Sequence, residues 1–233
     1  RQRQMCIRDR HIHSALSPCA DNDMTPVNIG AMSSAKGLQI IAVADHNAIA
    51  NVAAAREVGE ALDVIVVPAV ELQTQEDVHI LCLFETFENL QSFFDEISFK
   101  DLKNREEIFG EQLIVSSDDE VIGREERLLL AGANLSEPDV KPLVEKYGGV
   151  AVPAHVNRDA NGIVAILGDV PDYYTAVELS SDCDEETAAM YAKKYRLIYD
   201  SDSHTLSDIG KTQRYLEINE ISERGILSYL RGE

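Results

Sequence analysis

Asp200-Ser201-Asp202-Ser203-His204, read together with His11-Ile12-His13 near the other end of the chain, decides the fold. In a strand, residues two apart point to the same face. Asp202 and His204 therefore project together from the end of a strand centred on Leu197-Ile198-Tyr199, and His11 and His13 form a second such pair. Two pairs so distant in sequence make chemical sense if both strands end at one mouth. Imidazole nitrogen and carboxylate oxygen are the donors that a borderline divalent ion such as zinc, manganese or iron accepts. The six histidines of the chain are His11, His13, His46, His79, His155 and His204. With Glu71 and Asp202 they are expected to form one metal cluster.

Working outward, the remaining sequence supplies more strands of the same kind. A helix is expected from Thr25-Pro26, with Thr as N-cap and Pro in the first turn, to the stop at Gly37. Apolar runs at 38–44, 64–70, 78–84, 150–153, 176–179 and 197–199 read as strands, with a last one at 213–218. Helical periodicity fills 48–62, 87–99, 138–147, 161–167, 185–195 and 221–230. This alternation is the rhythm of α/β proteins. Residues 101–130 break it with Leu113-Ile114-Val115, a polar turn and Val121-Ile122-Gly123, expected as a small hairpin excursion. With no linker or internal repeat, the economical architecture is a single α/β barrel.

Composition narrows the partners. The 233 residues carry a formal charge of −20 and are 45% hydrophobic, the profile of an ordinary globular domain. Nucleic-acid affinity rests largely on basic contacts to phosphate, so a long nucleic acid is not expected, whereas a local basic pocket for one small phosphorylated molecule is. No apolar run approaches the roughly 20 residues needed to cross a bilayer, and no signal peptide is evident. Cys6, Cys19, Cys82 and Cys183 lack CxxC spacing and read as reduced thiols of a cytoplasmic protein. The first ten residues, from Arg1-Gln2-Arg3-Gln4-Met5-Cys6 to Arg10 at the junction, read as the in-frame translation of a transposase sequencing adaptor. The expected division is therefore a scar over 1–10 and one barrel domain over 11–233, with a native first strand partly overwritten before His11.

In α/β barrels, functional side chains gather at the carboxyl ends of the strands. His11, His13, His46, Glu71, His155, Asp202 and His204 meet that rule, while His79 stands at the start of its strand. The segments His11-Ile12-His13-Ser14, Ala44-Asp45-His46-Asn47, Pro68-Ala69-Val70-Glu71, Val78-His79-Ile80-Leu81, Pro153-Ala154-His155 and Ser201-Asp202-Ser203-His204 resemble, in order, the motifs of the PHP family. That family is named for domains of bacterial polymerases and histidinol phosphatases. The resemblance implies a distorted (β/α)7, TIM-like barrel that holds two or three divalent metals and hydrolyses phosphoesters. It places the metal ligands on His11, His13, His46, Glu71, His79, His155, Asp202 and His204. A further ligand is expected in the loop after His13, where Asp21 is favoured over Cys19 and Asp23.

Clustered metals of this kind supply hydroxide near neutral pH and clamp phosphoryl oxygens. Glu71 and Asp202 are the carboxylates that can bridge them, and Asp45 is placed as a partner orienting a ligand imidazole. Arg158, three residues after His155, is the first candidate for a fork onto phosphate, followed by Lys103 and Arg105 in the excursion. The excursion itself is expected to act as a lid. Two other readings compete. Amidohydrolases also open with His-x-His, although they usually add a bridging Lys and a lone final Asp. A non-catalytic, metal-stabilised binding domain is the third.

Overall fold

A computed structural model describes residues 4–212 and 215–233. The chain opens with β1 (Gln4–Ile12), α1 (Pro26–Ala35), β2 (Ile40–Val43), α2 (Val52–Ala61), β3 (Ile65–Gln73), β4 (His79–Leu83) and α3 (Phe87–Phe94). The excursion holds α4 (Glu106–Phe109), β5 (Leu113–Val115) and β6 (Val121–Arg124). The alternation then resumes with α5 (Glu137–Lys146), β7 (Val150–Pro153), α6 (Ile163–Leu167), β8 (Ala176–Leu179), α7 (Glu185–Ala192), β9 (Arg196–Tyr199), β10 (Tyr215–Ile218) and α8 (Glu223–Arg231). The expected elements are present, several with shortened ends, while β3 runs on past the expected 64–70 to Gln73 and so includes Glu71. Residues 213 and 214 of the strand expected at 213–218 lie outside the described residues.

Local chemistry accounts for the boundaries. The Thr25 hydroxyl accepts from the Asn28 N–H and Pro26 fills the first turn of α1, satisfying amides that have no partner within the helix. Gly37 ends that helix with φ +70°, where a side chain would be strained. Four consecutive buried residues make β2, the mark of a strand covered on both faces.

The strands form a mixed sheet in the order β10-β1-β2-β3-β4-β7, with β8 and β9 as a parallel pair beside it. β1, β2 and β3 run parallel, but β4 is antiparallel to both β3 and β7. The sheet curls into a half-barrel, and two further contacts draw its ends together. The Val156 N–H donates to the Glu178 carbonyl at the β7–β8 gap, and Ser203, beyond β9, exchanges backbone hydrogen bonds with His11 and His13.

Side-chain alternation sorts the core into layers. Ile40, Ala42, Ala44, Val67, Ala69, Leu81, Leu83, Val150, Val152, Ala176 and Ile198 share one apolar cluster inside the curl, together with Ile226, Leu227 and Leu230 of α8. Ile41 and Val43 face the other way, into a layer with Ile29 and Ala55 of α1 and α2. The inner rows, continued by two residues, reach polar groups: Ala44 leads to His46, Ala69 to Glu71, Leu81 back to His79, Ala176 to Glu178, and Ile198 to Asp200 and Asp202. The excursion packs on the loop after β1, with the Leu113 N–H donating to the Ala15 carbonyl. A Cβ at Gly110 would stand 2.3 Å from the Pro18 carbonyl oxygen, so only glycine permits that approach.

Candidate metal centre

Five of the six histidines converge on one carboxylate, and the sixth, His204, packs beside them. Glu71, fully buried on β3, presents Oε1 to His11 Nε2 at 3.2 Å, His79 Nδ1 at 2.9 Å and His155 Nε2 at 3.3 Å. Its Oε2 faces His46 Nδ1 at 2.8 Å and His13 Nε2 at 3.4 Å. Asp202 spans the same divide, 3.1 Å from His13 Nε2 and 3.5 Å from His11 Nε2. His204 stacks on His13 with ring centroids 4.5 Å apart. The two carboxylates thus stand between one set of imidazoles (His11, His79, His155) and another (His13, His46, His204).

The reversed direction of β4 explains why His79 belongs here although it starts its strand. Because β4 runs antiparallel to β3, His79 pairs with Gln73 at the same edge as Glu71. His155 and Asp202 sit just past β7 and β9 with φ of +31° and +48°. Backbone in this region is costly for residues other than glycine and persists where the surroundings over-determine it.

Hydrogen bonds set which ring nitrogens are free. His13 Nδ1 lies 3.0 Å from Ser17 Oγ, which itself donates to Asp45 at 2.7 Å, so the imidazole is the donor of that pair and Nε2 keeps its lone pair. His11 Nδ1 donates to Glu178 at 3.0 Å, and His204 Nδ1 donates to the Asp202 carbonyl at 2.9 Å. In all three, Nε2 is left as an acceptor. Orientation of ligand imidazoles by carboxylates and carbonyls is the usual arrangement around protein-bound metals. Burial pushes His13 down, and the neighbouring His46 adds to this. Burial also opposes charge on Glu71, but the imidazoles of His79, His11 and His46 hold its carboxyl well below the usual range.

These residues fit a group of divalent cations. His11 Nε2, His46 Nδ1, His79 Nδ1, His155 Nδ1 and Glu71 Oε2 are buried without a hydrogen-bond partner, although unpaired buried polar atoms are rare. One carboxylate has too few hydrogen-bonding sites of the right geometry for five imidazoles, and the Nε2 lone pairs of His11 and His13 face carboxylate oxygens. Cations between them would resolve both conflicts. Among the described residues, three sets have ligand atoms within 4.8 Å of one another: His11, His13 and Glu71; His46, Glu71 and His79; and His13, Cys19, His46 and His204.

Several expected roles fall differently. Asp21 is exposed and belongs to none of these sets; tight turns, with Ala20 N–H donating to the Ser17 carbonyl, bring Cys19 to the group instead. The thiol of Cys19 is brought down to about 7, because hydrogen bonding with His204 and His46 outweighs desolvation. Asp23 is exposed as well. Asp45 does not bond the His46 side chain; it accepts from the Ser14 N–H, the Ser14 hydroxyl and Ser17, and so acts on His13 through Ser17. Arg158 reaches the mouth, where its guanidinium is paired with Asp202 Oδ2. Lys103 is engaged by Glu126 at 2.8 Å, and with Arg105 it lines an open groove of the excursion among Glu106, Glu107, Arg124 and Glu126.

Glu178 was not foreseen. It is fully buried on β8, where burial raises its carboxyl while its contact with the His11 imidazole opposes the rise. The signal was available: a glutamate in the four-residue strand Ala176-Val177-Glu178-Leu179, on the same face as Ala176.

No family model matches this sequence, and no curated protein sequence matches it either. Solved structures do. Endonuclease Q in complex with a 27-mer duplex carrying an abasic lesion at the active site gives a TM-score of 0.70 at 17% identity, over 98% of this chain and 57% of that one. The lesion-specific endonuclease Q of Pyrococcus furiosus gives 0.67 at 17% identity, over 98% and 56%. A Bifidobacterium adolescentis chain assigned as a metal-dependent phosphoesterase gives 0.57 at 18% identity, over 97% and 98%. An amidohydrolase from Chromobacterium violaceum gives 0.60 at 16% identity, over 97% and 96%. The chain therefore has the fold of these proteins, which supports the PHP-like reading at the level of architecture, and it spans a little over half the length of endonuclease Q. No helix among the described residues is long and apolar enough to cross a membrane.

Proposed function

We propose that this chain is a metal-dependent hydrolase that cleaves a phosphomonoester or phosphodiester of a small metabolite or nucleotide. The observation that carries the reading is the pair of carboxylates, Glu71 and Asp202, each facing imidazoles of both sets. Two or three zinc, manganese or iron ions would be held by His11, His79 and His155 on one side and His13, His46 and His204 on the other. Glu71 and Asp202 would be shared between the sides. Such ions, when bound, supply hydroxide near neutral pH and stabilise charge on phosphoryl oxygens.

The chain's own residues do the rest. Glu178, Ser17 and the Asp202 carbonyl fix the tautomers of His11, His13 and His204, so their lone pairs are already aimed inward. Arg158 stands at the mouth beside Asp202 with a planar two-pronged donor suited to phosphate oxygens. Lys103 and Arg105 are secondary candidates, on an excursion placed to act as a lid. The distorted (β/α)7 barrel belongs to this proposal, closed through the Val156–Glu178 and His11–Ser203 contacts. So do its span over 11–233 and a cytoplasmic setting. The foreign origin of residues 1–10 belongs to it too; Arg10 is fully buried, its Nε paired with Asp200 Oδ1 at 3.2 Å while its Nη1 and Nη2 find no hydrogen-bond partner.

The amidohydrolase fold neighbour keeps amide hydrolysis as the second reading, against which stand the Glu71 and His79 positions, the closing Asp202-Ser203-His204, and the fact that no lysine among the described residues is buried. The endonuclease Q complex makes duplex DNA a substrate to include, although the charge of −20 disfavours it. The test is release of product from chromogenic phosphomonoesters and phosphodiesters, amides and an abasic duplex, with manganese or zinc. Phosphoester cleavage that stops with chelator and returns with metal is expected. Amide cleavage alone would transfer the chain to the second reading. No cleavage by metal-loaded protein would leave a metal-stabilised binding domain.

A further inference from the structure

The loop after β1 carries a donor that the carboxylate-centred scheme does not use. Cys19 is an exposed residue at the rim, but its sulfur lies with one ring nitrogen each of His13, His46 and His204, all four atoms within 4.8 Å of one another. The four residues come from three parts of the chain: the end of β1 and its loop, the end of β2, and the turn after β9. We propose that Cys19 is a thiolate ligand, so that one ion of the centre occupies a three-nitrogen, one-sulfur site made of His13, Cys19, His46 and His204.

This proposal rests on the metal-centre reading and goes beyond it in assigning one ion a sulfur donor. A tetrahedral zinc with bonds of about 2.0–2.3 Å spaces its donors roughly 3.3–3.7 Å apart, so the four atoms need only a modest contraction. Their supports are already in place. His13 and His204 have committed Nδ1 to Ser17 and to the Asp202 carbonyl. The His46 ring is more than nine-tenths buried and held by Glu71, whose Oε2 lies 2.8 Å from Nδ1. The backbone on both sides of Cys19 is tied down: Ala20 N–H donates to Ser17 at 3.0 Å, and Asp21 N–H donates to the His204 carbonyl at 2.9 Å. That second bond fixes the loop to the very turn that carries His204. The nearest acidic side chains of the loop, Asp21 and Asp23, are exposed and outside the set.

A sulfur donor changes what the site selects. Thiolate favours zinc, iron or cobalt, whereas an all-oxygen and nitrogen site also accepts manganese readily. The centre would then be chemically unequal, with one soft position next to Glu71-bridged positions that are harder.

The test is titration of metal-free protein with cobalt(II), followed by its optical spectrum. A thiolate ligand gives a sulfur-to-cobalt charge-transfer band in the near ultraviolet. The band should develop with one equivalent, persist in Cys82→Ser and Cys183→Ser, and vanish in Cys19→Ser while cobalt still binds elsewhere in the centre. Loss of an orienting neighbour alone weakens metal binding about 10- to 100-fold, so Cys19→Ser should weaken zinc at one site by at least about ten-fold. Cys19→Asp should restore the equivalent without the band and bind manganese better than the wild type does. Cobalt binding with no charge-transfer band, or a band that survives in Cys19→Ser, would overturn the thiolate and leave the metal centre standing. Failure to bind cobalt at all would overturn both.

Discussion

Removing metal should cost this protein a large and calculable part of its thermal stability. Without cations, five imidazole nitrogens crowd Glu71 at 2.8–3.4 Å, and several buried nitrogens have no hydrogen-bond partner. Ions that bind this arrangement and not the unfolded chain stabilise it by mass action. At free metal of 100 times Kd the gain is about 2.7 kcal/mol per site. For a chain of this length each kcal/mol moves Tm by about 2–4 °C, so one site is worth about 5–11 °C. Thermal unfolding of chelated and zinc-replete protein, followed by circular dichroism, measures this directly. Glu71→Gln keeps the volume of the side chain but removes the shared negative charge, and should lose most of the shift. The shift should also shrink as pH falls, because imidazoles must be neutral to bind metal. A zinc-dependent change under about 2 °C, or an equal change in Glu71→Gln, would refute the reasoning.

Further predictions concern single side chains. Asp202→Ala and His204→Ala should abolish phosphoester hydrolysis yet melt as folded proteins, since both lie beyond the end of β9; activity loss with wholesale unfolding would instead assign the metals a structural role. Arg158→Ala should reduce kcat/KM about ten- to hundred-fold, the equivalent of a charged hydrogen bond of about 1.5–3 kcal/mol. Arg158→Lys should recover only part of this, and metal content should not change; near-normal efficiency in Arg158→Ala would make it an ordinary surface charge. Glu178→Gln should weaken metal binding about 10- to 100-fold through His11, and unaltered affinity would show that the Glu178–His11 hydrogen bond has no bearing on the centre.

Much of the site was legible because side-chain alternation carries it. Ala44 to His46 and Ala69 to Glu71 are inner rows readable from period two alone, whereas Asp202 lies past β9 at φ +48°. The same rule would have found Glu178, which continues from Ala176, had a buried glutamate in a short strand been taken as a signal. Strand direction was not legible: the antiparallel course of β4 is a tertiary outcome, and it alone turns the misfit at His79 into agreement. His155 breaks the alternation of β7, because a backbone at φ +31° re-aims the side chain, and single sequences announce such conformations only at glycine. The residue of the loop that approaches the histidines was not legible for a related reason. Asp21 is the better donor by residue type, but turns in the loop place Cys19 inward and Asp21 outward.

That six histidines, Glu71 and Asp202 form one multinuclear centre is tested most directly by elemental analysis of protein purified without chelator. Two or three equivalents of transition metal per chain are expected. One equivalent or none, with every one of these eight side chains intact, would contradict it.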